Sequence, residues 1–374
     1  MIFGRAPRPA VGLDIGSHAV KLVQLESRRG SLALRRLGMA PVAPGAIEGG
    51  EVRDHEAVME AVESLWERER VGTKQVVASL SGPGAVAVPL RVPPMGKMEL
   101  AASLPAEAEQ YLPFEPEEAR LSYAVIGETI QEDRRCLEVL LVAVRRGQAR
   151  ELADLLRQLG LEPIALDLNF LALERAYELL GVGPHEGAVA LVDVGGQFTL
   201  LHILRGGRST ERQTLFTRTI PWGGERLTGL LGKGLGVSAE VAEAIKVGRS
   251  EPPESVHRTK DSVRAILQEG LEGLAHELGR SFQFLGELSP DVRLERLVLS
   301  GGGSLLLGLE RYLAESLGVH AERFDPFETV AVDEKLVDPD FVCEVATAMG
   351  VAAGLALRGI RGRPRPGGPV GGAR

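Results

Sequence analysis

The sequence predicts an α/β protein of two like lobes facing each other across a cleft. Three observations carry this. Apolar strand-like runs alternate with segments of helical period along the 374 residues, the pattern of an α/β fold. A strand, an aspartate, a glycine break and a hairpin occur twice, at VGLDIGSHAVKLVQLE (11–26) and within LVDVGGQFTLLHILRGGRSTERQTLFTRTIP (191–221), with Asp14 and Asp193 in matching places 179 residues apart. The runs EVLLVAV (138–144), AVALVDV (188–194) and ERLVLS (295–300) are almost wholly apolar, as central strands covered on both faces require.

In the first copy a strand runs to Asp14, breaks at Gly16-Ser17, resumes over 19–26, turns near Arg29-Gly30 and returns over 31–40. A helix is expected over 54–70, with Asp54 as N-cap and Val58, Val62, Leu65 and Trp66 on one face, ending before Gly72. Another spans 148–159, with Leu152, Leu155, Leu156 and Leu159 inward and Gly160 at C′. The second copy repeats the first, with its turn at Gly206-Gly207. Over 261–287, Val263, Leu267, Leu271, Leu274, Leu278, Phe282 and Leu285 read as one long helix packed along a single stripe, with Gly270, Gly273 and Gly279 as its weaker points. The tail RGRPRPGGPVGGAR (361–374) has no apolar face to bury and is expected to be disordered; its four arginines read either as a solvated end or as weak attraction to anionic lipid or an acidic partner.

Composition narrows the function. Apolar residues at 44% and charged residues at 25% describe a globular chain long enough for a deep cleft. A net charge of -8 without a Lys/Arg run in the body argues against nucleic acid. No apolar run is expected to reach the roughly 18 to 20 residues of a membrane span, and MIFGRAPRPA lacks a signal-like apolar core, so the expected compartment is the cytoplasm. Cys136 and Cys343 are expected as two reduced, packed thiols. The seven histidines never fall at HxxxH or HxxE spacing, which gives no support to a histidine metal site on one helix.

Asp14 and Asp193 stand at strand ends among apolar residues, where an unpaired carboxylate costs several kcal/mol and so calls for a cation or donors. A glycine turn directly after a buried strand offers backbone N–H groups to phosphate oxygens. Two such loops facing each other could clamp a polyphosphate, with Asp14 and Asp193 holding a hydrated Mg²⁺ on it. Taken alone, DIGS reads equally as a strand ending in an Asx-turn. A third glycine loop, LSGGGSLLLGLERYLAESLG (299–318), lets the backbone approach a base or sugar closely. It matches neither the dinucleotide fingerprint nor a P-loop. In SAEVAEAIKVG (238–248), Glu243 and Lys246 share a helix face, and an ordinary surface ion pair is the alternative to a ligand role.

Taken together these loops resemble the actin-like ATPase superfamily, and within it the PilM family of type IV pilus assembly. The resemblance runs from about residue 10 to 359. Its more specific segments are VPPMGKMEL with EAEQYLPFEPEEARLSYAVIG (107–127), LFTRTIPWGGERLT (215–228), AEAIK (242–246), ELGRSFQFL (277–285) and ATAMGVAAGLALRGI. It implies subdomain 1A from 1–85, 165–187 and 341–360, an inserted 1C from 86–164, 2A from 188–227 and 287–340, and 2B from 228–286. Carried over by motif, Gly16, Ser17, His18 and Lys21 would line the first phosphate loop, and Gly195, Gly196, Gln197 and Thr199 the second. Asp14 and Asp193 would act through Mg²⁺ and its waters, Glu243 and Lys246 would meet the ribose, and Gly301, Gly302, Gly303 and Ser304 would face the adenine.

Two departures stand out. Phe198 replaces a small polar residue, which puts hydrolysis in question more than binding, and Pro105 is expected to bend or split the first 1C helix. No water-activating base is evident beyond Glu174, by loose position.

The resemblance implies an ATP-binding scaffold, at most a weak ATPase, at the cytoplasmic side of the inner membrane. It would dock the N-terminal cytoplasmic tail of PilN in a groove between 1A and 1C, with the pilus motor ATPase and self-association as further partners and twitching motility as the process served. LPFEPEEA and PPMGK read equally as groove material or as 1C core and loop. The alternatives are a sugar kinase of the same superfamily, for which no clear carboxylate base appears between 90 and 170, an FtsA-like divisome scaffold, and the cytoplasmic half of a type II secretion platform.

Overall fold

The computed structural model describes residues 10–28, 31–131, 134–180, 187–205, 213–251 and 260–360. The expected turns at 29–30 and 206–207 and the tail 361–374 lie outside the described residues.

The chain opens with β1 (Val11–Ile15), β2 (Ala19–Arg28) and β3 (Ser31–Pro41), followed by the short hairpin β4 (Ile47–Glu48) and β5 (Glu51–Val52), α1 (His55–Arg68) and β6 (Gln75–Leu80). Asp54 caps α1 as expected, accepting the Ala57 N–H at 3.0 Å. A small antiparallel sheet then forms from β7 (Ala85–Val92), β8 (Ala119–Gln131) and β9 (Arg134–Arg145), with α2 (Lys97–Ala108) packed on it. β9 is the middle strand. Val139 and Leu141 lie in one cluster with Leu100 and Leu104 of α2, while Leu140 joins the core of the first lobe, so the apolar run is covered on both faces. Next come α3 (Arg146–Gln158), β10 (Glu162–Leu168) and α4 (Asn169–Leu180). Gly160 sits just past α3 at φ 67°, in the left-handed C′ role read from the sequence.

The second lobe contains β11 (Ala188–Val194), β12 (Thr199–Arg205), β13 (Gln213–Ile220), α5 (Gly224–Leu235), α6 (Ala239–Lys246), α7 (Lys260–Leu288), β14 (Leu294–Ser300), α8 (Leu309–Leu317) and β15 (His320–Arg323). The chain crosses back through β16 (Ala331–Val332), which pairs with β3, and ends in α9 (Pro339–Val345) and α10 (Gly350–Ile360).

The two large sheets share one plan. The first runs β10-β6-β1-β2-β3-β16 and the second β15-β14-β11-β12-β13, so each has a parallel trio beside a hairpin pair. α4 and α10 are buried between them, in one apolar cluster with Leu191, Leu204 and Val298 of the second sheet. Glycine permits this depth. A Cβ on Gly12 would lie 2.1 Å from the Ala352 carbonyl oxygen, and one on Gly354 would lie 1.8 Å from that of Ala172.

Several expectations are corrected. The segment Pro339–Ile360 is as long and apolar as a membrane span (mean hydropathy 1.5), contrary to the expectation of no such run; 78% of that window is buried inside the protein, because it is the shared core between the sheets. α2 passes through Pro105 without splitting. Neither cysteine is a buried thiol: Cys136 is half-buried and Cys343, on the polar side of α9, is exposed. α7, by contrast, is the one long helix that the sequence predicts, unbroken at its glycines. A Cβ on Gly270 would stand 2.3 Å from Leu227 Cδ2, and the Gly270 carbonyl accepts the Trp222 indole N–H at 3.1 Å, so the glycine seats α7 against α5.

Candidate functional site

The cleft floor is built by strand register. β1 pairs with β2 so that Asp14 lies opposite Lys21, and Lys21 Nζ reaches Asp14 Oδ2 at 3.0 Å. Asp14 is 5% exposed, so this contact is its compensation for burial. Burial alone would pull the Lys21 ammonium down, but the charges of Asp14 and Asp193 and the hydrogen bond to Asp14 outweigh it and raise its pKa. Asp193 stands one residue before the end of β11 on the facing lobe. Burial pushes its carboxyl up, opposed by the charge of Lys21, reinforced by that of Asp14 and opposed again by a hydrogen bond from Ser300. One cation therefore serves both carboxylates. Gly301 follows β14 at φ 87°, where a Cβ would fall 2.4 Å from the Val194 carbonyl oxygen and 2.8 Å from Asp193 Oδ1, so only glycine fits behind Asp193.

The two glycine loops are built alike. Gly16 N–H donates to the Ala19 carbonyl at 3.1 Å, and Gly195 N–H to that of Phe198 at 2.9 Å. They meet across the cleft. Ser17 Oγ donates to Glu225 Oε1 at 3.1 Å, and a Cβ on Gly196 would be 2.5 Å from Ser17 Oγ. The Gln197 amide donates to the Ile47 carbonyl at 2.8 Å and accepts from Gly49 N–H at 3.0 Å. His18 Nε2 lies 3.9 Å from Glu243 Oε1.

On the wall, Lys246 Nζ contacts Glu243 Oε2 at 2.6 Å, Thr228 Oγ1 at 2.9 Å and the Gly224 carbonyl at 3.1 Å. The Lys246 side chain is only 12% exposed, so the pair is a part-buried wall of the cleft and not an ordinary surface ion pair. Burial pushes Glu243 up, but hydrogen bonds from Lys246 and Thr228 and the charges of Lys246 and His18 prevail, and its pKa is lowered.

The cleft measures about 1420 Å³. Asp14, Gly16, Ser17, His18, Lys21, Asp193, Gly195, Gly196, Gln197, Glu243, Lys246, Gly302 and Gly303 all line it. Three expected residues do not. Thr199 is fully buried and donates to the Trp222 carbonyl at 2.8 Å. Gly301 donates its N–H to the Thr347 carbonyl, and Ser304 turns its hydroxyl to the Ser300 carbonyl. Glu174 is not placed as a water-activating base: its carboxylate lies 3.0 Å from Nε2 of the buried His202, whose Nδ1 meets Thr217 Oγ1 at 2.8 Å.

Ser79 and Asn169 were not legible as site residues. Register places Ala78 beside Leu13 and Ser79 beside Asp167, which sets Ser79 next along the floor from Asp14. Ser79 Oγ and Asn169 Oδ1 are buried in the cleft lining without a protein partner. Unpaired buried oxygens of this kind call for water or ligand. The only sequence signals are a hydroxyl in QVVASL and a carboxamide in LDLNF. Among the described residues no group of three or more His, Cys, Asp or Glu could form an all-protein metal cage. Two carboxylates beside unpaired oxygens nonetheless fit Mg²⁺, which keeps several waters and takes its remaining ligands from phosphate.

Two duplicated lobes closing over paired Asp-Gly loops define the actin-like ATPase fold. Solved structures with low identity share it: an ethanolamine utilization protein EutJ from Carboxydothermus hydrogenoformans (17% identity, TM-score 0.53, 94% of this chain and 90% of that one) and MreB5 of Spiroplasma citri bound to ADP (11% identity, TM-score 0.51, 94% of this chain and 96% of that one). The cell division protein FtsA of Streptococcus pneumoniae is 25% identical over 359 residues, covering 84% of this chain and 75% of its own. A PilM-PilN type IV pilus biogenesis complex is much more alike, at 31% identity and TM-score 0.80 over 95% of this chain and 99% of that one. Residues 12–360 match the family described as type IV pilus assembly protein PilM, and the chain belongs to that family.

Proposed function

We propose that this chain is a cytoplasmic, ATP-binding scaffold of the type IV pilus inner-membrane platform that docks the N-terminal tail of PilN. The observation that carries the nucleotide half is the Asp14–Lys21–Asp193 floor between two matching glycine loops. The partner half rests on likeness to a PilM-PilN complex. The exposed backbone of the loops would take the phosphates, and Asp14 and Asp193 would hold Mg²⁺ through its waters. Glu243 and Lys246 would meet the ribose, with Gly302 and Gly303 beside the base. Mg²⁺ would neutralise phosphate charge there. Ser79 and Asn169 would hold water at the floor, and a carboxamide and a hydroxyl are poor bases, which agrees with weak turnover at most. The 1A, 1C, 2A and 2B spans read from the sequence are the subdomains of this scaffold, and the PilN tail lies between 1A and 1C.

The test is MgATP turnover by the full chain with and without candidate sugars, together with binding of a synthetic PilN N-terminal peptide. Slow, sugar-independent turnover that falls in Asp14→Ala, with saturable peptide binding, is expected. Turnover that requires a sugar would replace the scaffold with a kinase.

A further inference from the structure

We propose that Gln197 is an interlobe latch that couples the nucleotide cleft to the 1A–1C junction. This rests on the nucleotide and partner reading above and adds a regulation to it.

Gln197 belongs to the second glycine loop, yet its amide is engaged by the opposite lobe. Nε2 donates to the Ile47 carbonyl at 2.8 Å while Oε1 accepts Gly49 N–H at 3.0 Å. Ile47 belongs to β4 and Gly49 to the turn that follows it, so the one amide ties strand and turn of the β4–β5 hairpin together. Only a primary amide offers one donor and one acceptor in that spacing. The turn is a tight one: Gly49 and Gly50 lie at φ 63° and 80°, the double left-handed conformation that glycine enters at little cost.

The far side of the same hairpin is clamped to the start of α3 and the end of β9. Gln148 donates through Nε2 to the Gly50 carbonyl and to that of Ser81 at 3.3 Å. A Cβ on Gly50 would sit 2.7 Å from the Ser81 carbonyl oxygen, so hairpin and clamp are in direct contact. Glu51 Oε1 meets Arg145 Nη1 at 3.1 Å, and the Arg145 guanidinium lies 5.3 Å from the Phe114 ring centroid and 3.3 Å from Glu118. An unbroken run of polar contacts thus leads from the second phosphate loop to the inserted sheet. Opening the lobes to admit a nucleotide parts Gln197 from the hairpin, and phosphates seated at Gly195–Gln197 compete for its amide. Either event frees a hairpin whose other face holds Gln148 and Arg145. By linkage, a ligand at the 1A–1C junction then alters nucleotide affinity by the same factor as nucleotide alters its own.

The test uses the full chain and hydrogen exchange resolved at the Gly49 amide, comparing wild type with Gln197→Ala and the near-isosteric Gln197→Glu, which keeps the acceptor but sets a carboxylate against the Ile47 carbonyl. Without nucleotide, Gln197→Ala should exchange Gly49 about 10-fold faster at unchanged melting temperature, while Gln197→Glu, which keeps the acceptor, should fall between it and wild type. Unchanged exchange would overturn the latch. With a fluorescent mant-ADP and Mg²⁺, wild type should show altered exchange over 145–152 and a change of about 5-fold or more in PilN-peptide affinity, within the usual range of allosteric coupling. Both effects should vanish in the variants and in Glu51→Gln, which keeps Gly49 protected. Nucleotide binding that leaves 145–152 and peptide affinity unchanged in wild type would overturn the coupling. If mant-ADP fails to bind while Gln197 still protects Gly49, the latch stands and the nucleotide reading falls.

Discussion

Lys21 faces both aspartates of the cleft floor. Removing it in Lys21→Met leaves the buried Asp14 without its cation, and a broken buried pair costs about 3–5 kcal/mol. Urea unfolding should show a loss of that order, largely recovered in the Asp14→Asn/Lys21→Met double variant; equal loss in both would contradict the pairing. Ser79→Ala should act in the opposite sense. It deletes a buried hydroxyl that has no partner, so stability should hold or rise by about 1 kcal/mol while Mg-dependent ADP affinity falls. Glu243 gives the pH dependence. Its folded pKa lies below its unfolded value, so its contribution is complete above the unfolded value and is lost as pH falls through the folded one. The stability gap between wild type and Glu243→Gln should therefore be full at neutral pH and close below the ordinary glutamate range; a gap independent of pH would rule this out. The motif residues at strand ends were legible because a carboxylate beside glycine breaks the apolar pattern. Ser79, Asn169 and Thr199 were not, since only register and hydrogen bonding decide whether a small polar side chain faces a cleft or a carbonyl.

Among the elements, periodicity and caps were read directly where local chemistry decides. Asp54, Gly160 and the apolar stripes of α1 and α3 needed no tertiary information. Elements fixed by packing were harder to read. The stripe of α7 predicts one long helix, but not the reason for its glycines: Gly270 is where α5 and the Trp222 indole approach. Gly270→Ala should consequently lower stability by about 1–3 kcal/mol through overpacking against Leu227, even though alanine gains about 1 kcal/mol in helix propensity. A thermal melt showing the variant more stable would refute that account. Likewise Pro105 leaves α2 whole, and Pro339–Ile360 has a membrane-like composition only because it is buried between two sheets and has little surface to keep polar.

At the scale of the molecule, the duplication was plain in the sequence because both copies keep the order strand, aspartate, glycine, hairpin, and the two sheets repeat that order in space. The closure of the lobes was not. Ser17 with Glu225, Gln197 with the β4–β5 hairpin and His18 near Glu243 join residues more than 140 positions apart, a separation no local pattern records. The same contacts give the two lobes a shared cleft floored by two facing carboxylates and one lysine. The most direct measurement is calorimetric titration of ADP with and without Mn²⁺ into wild type, Asp14→Asn and Asp193→Asn. Mn²⁺ should tighten ADP binding about 10-fold or more in wild type, and either substitution should remove this gain while metal-free binding persists. Equal affinity with and without metal in all three proteins would contradict it.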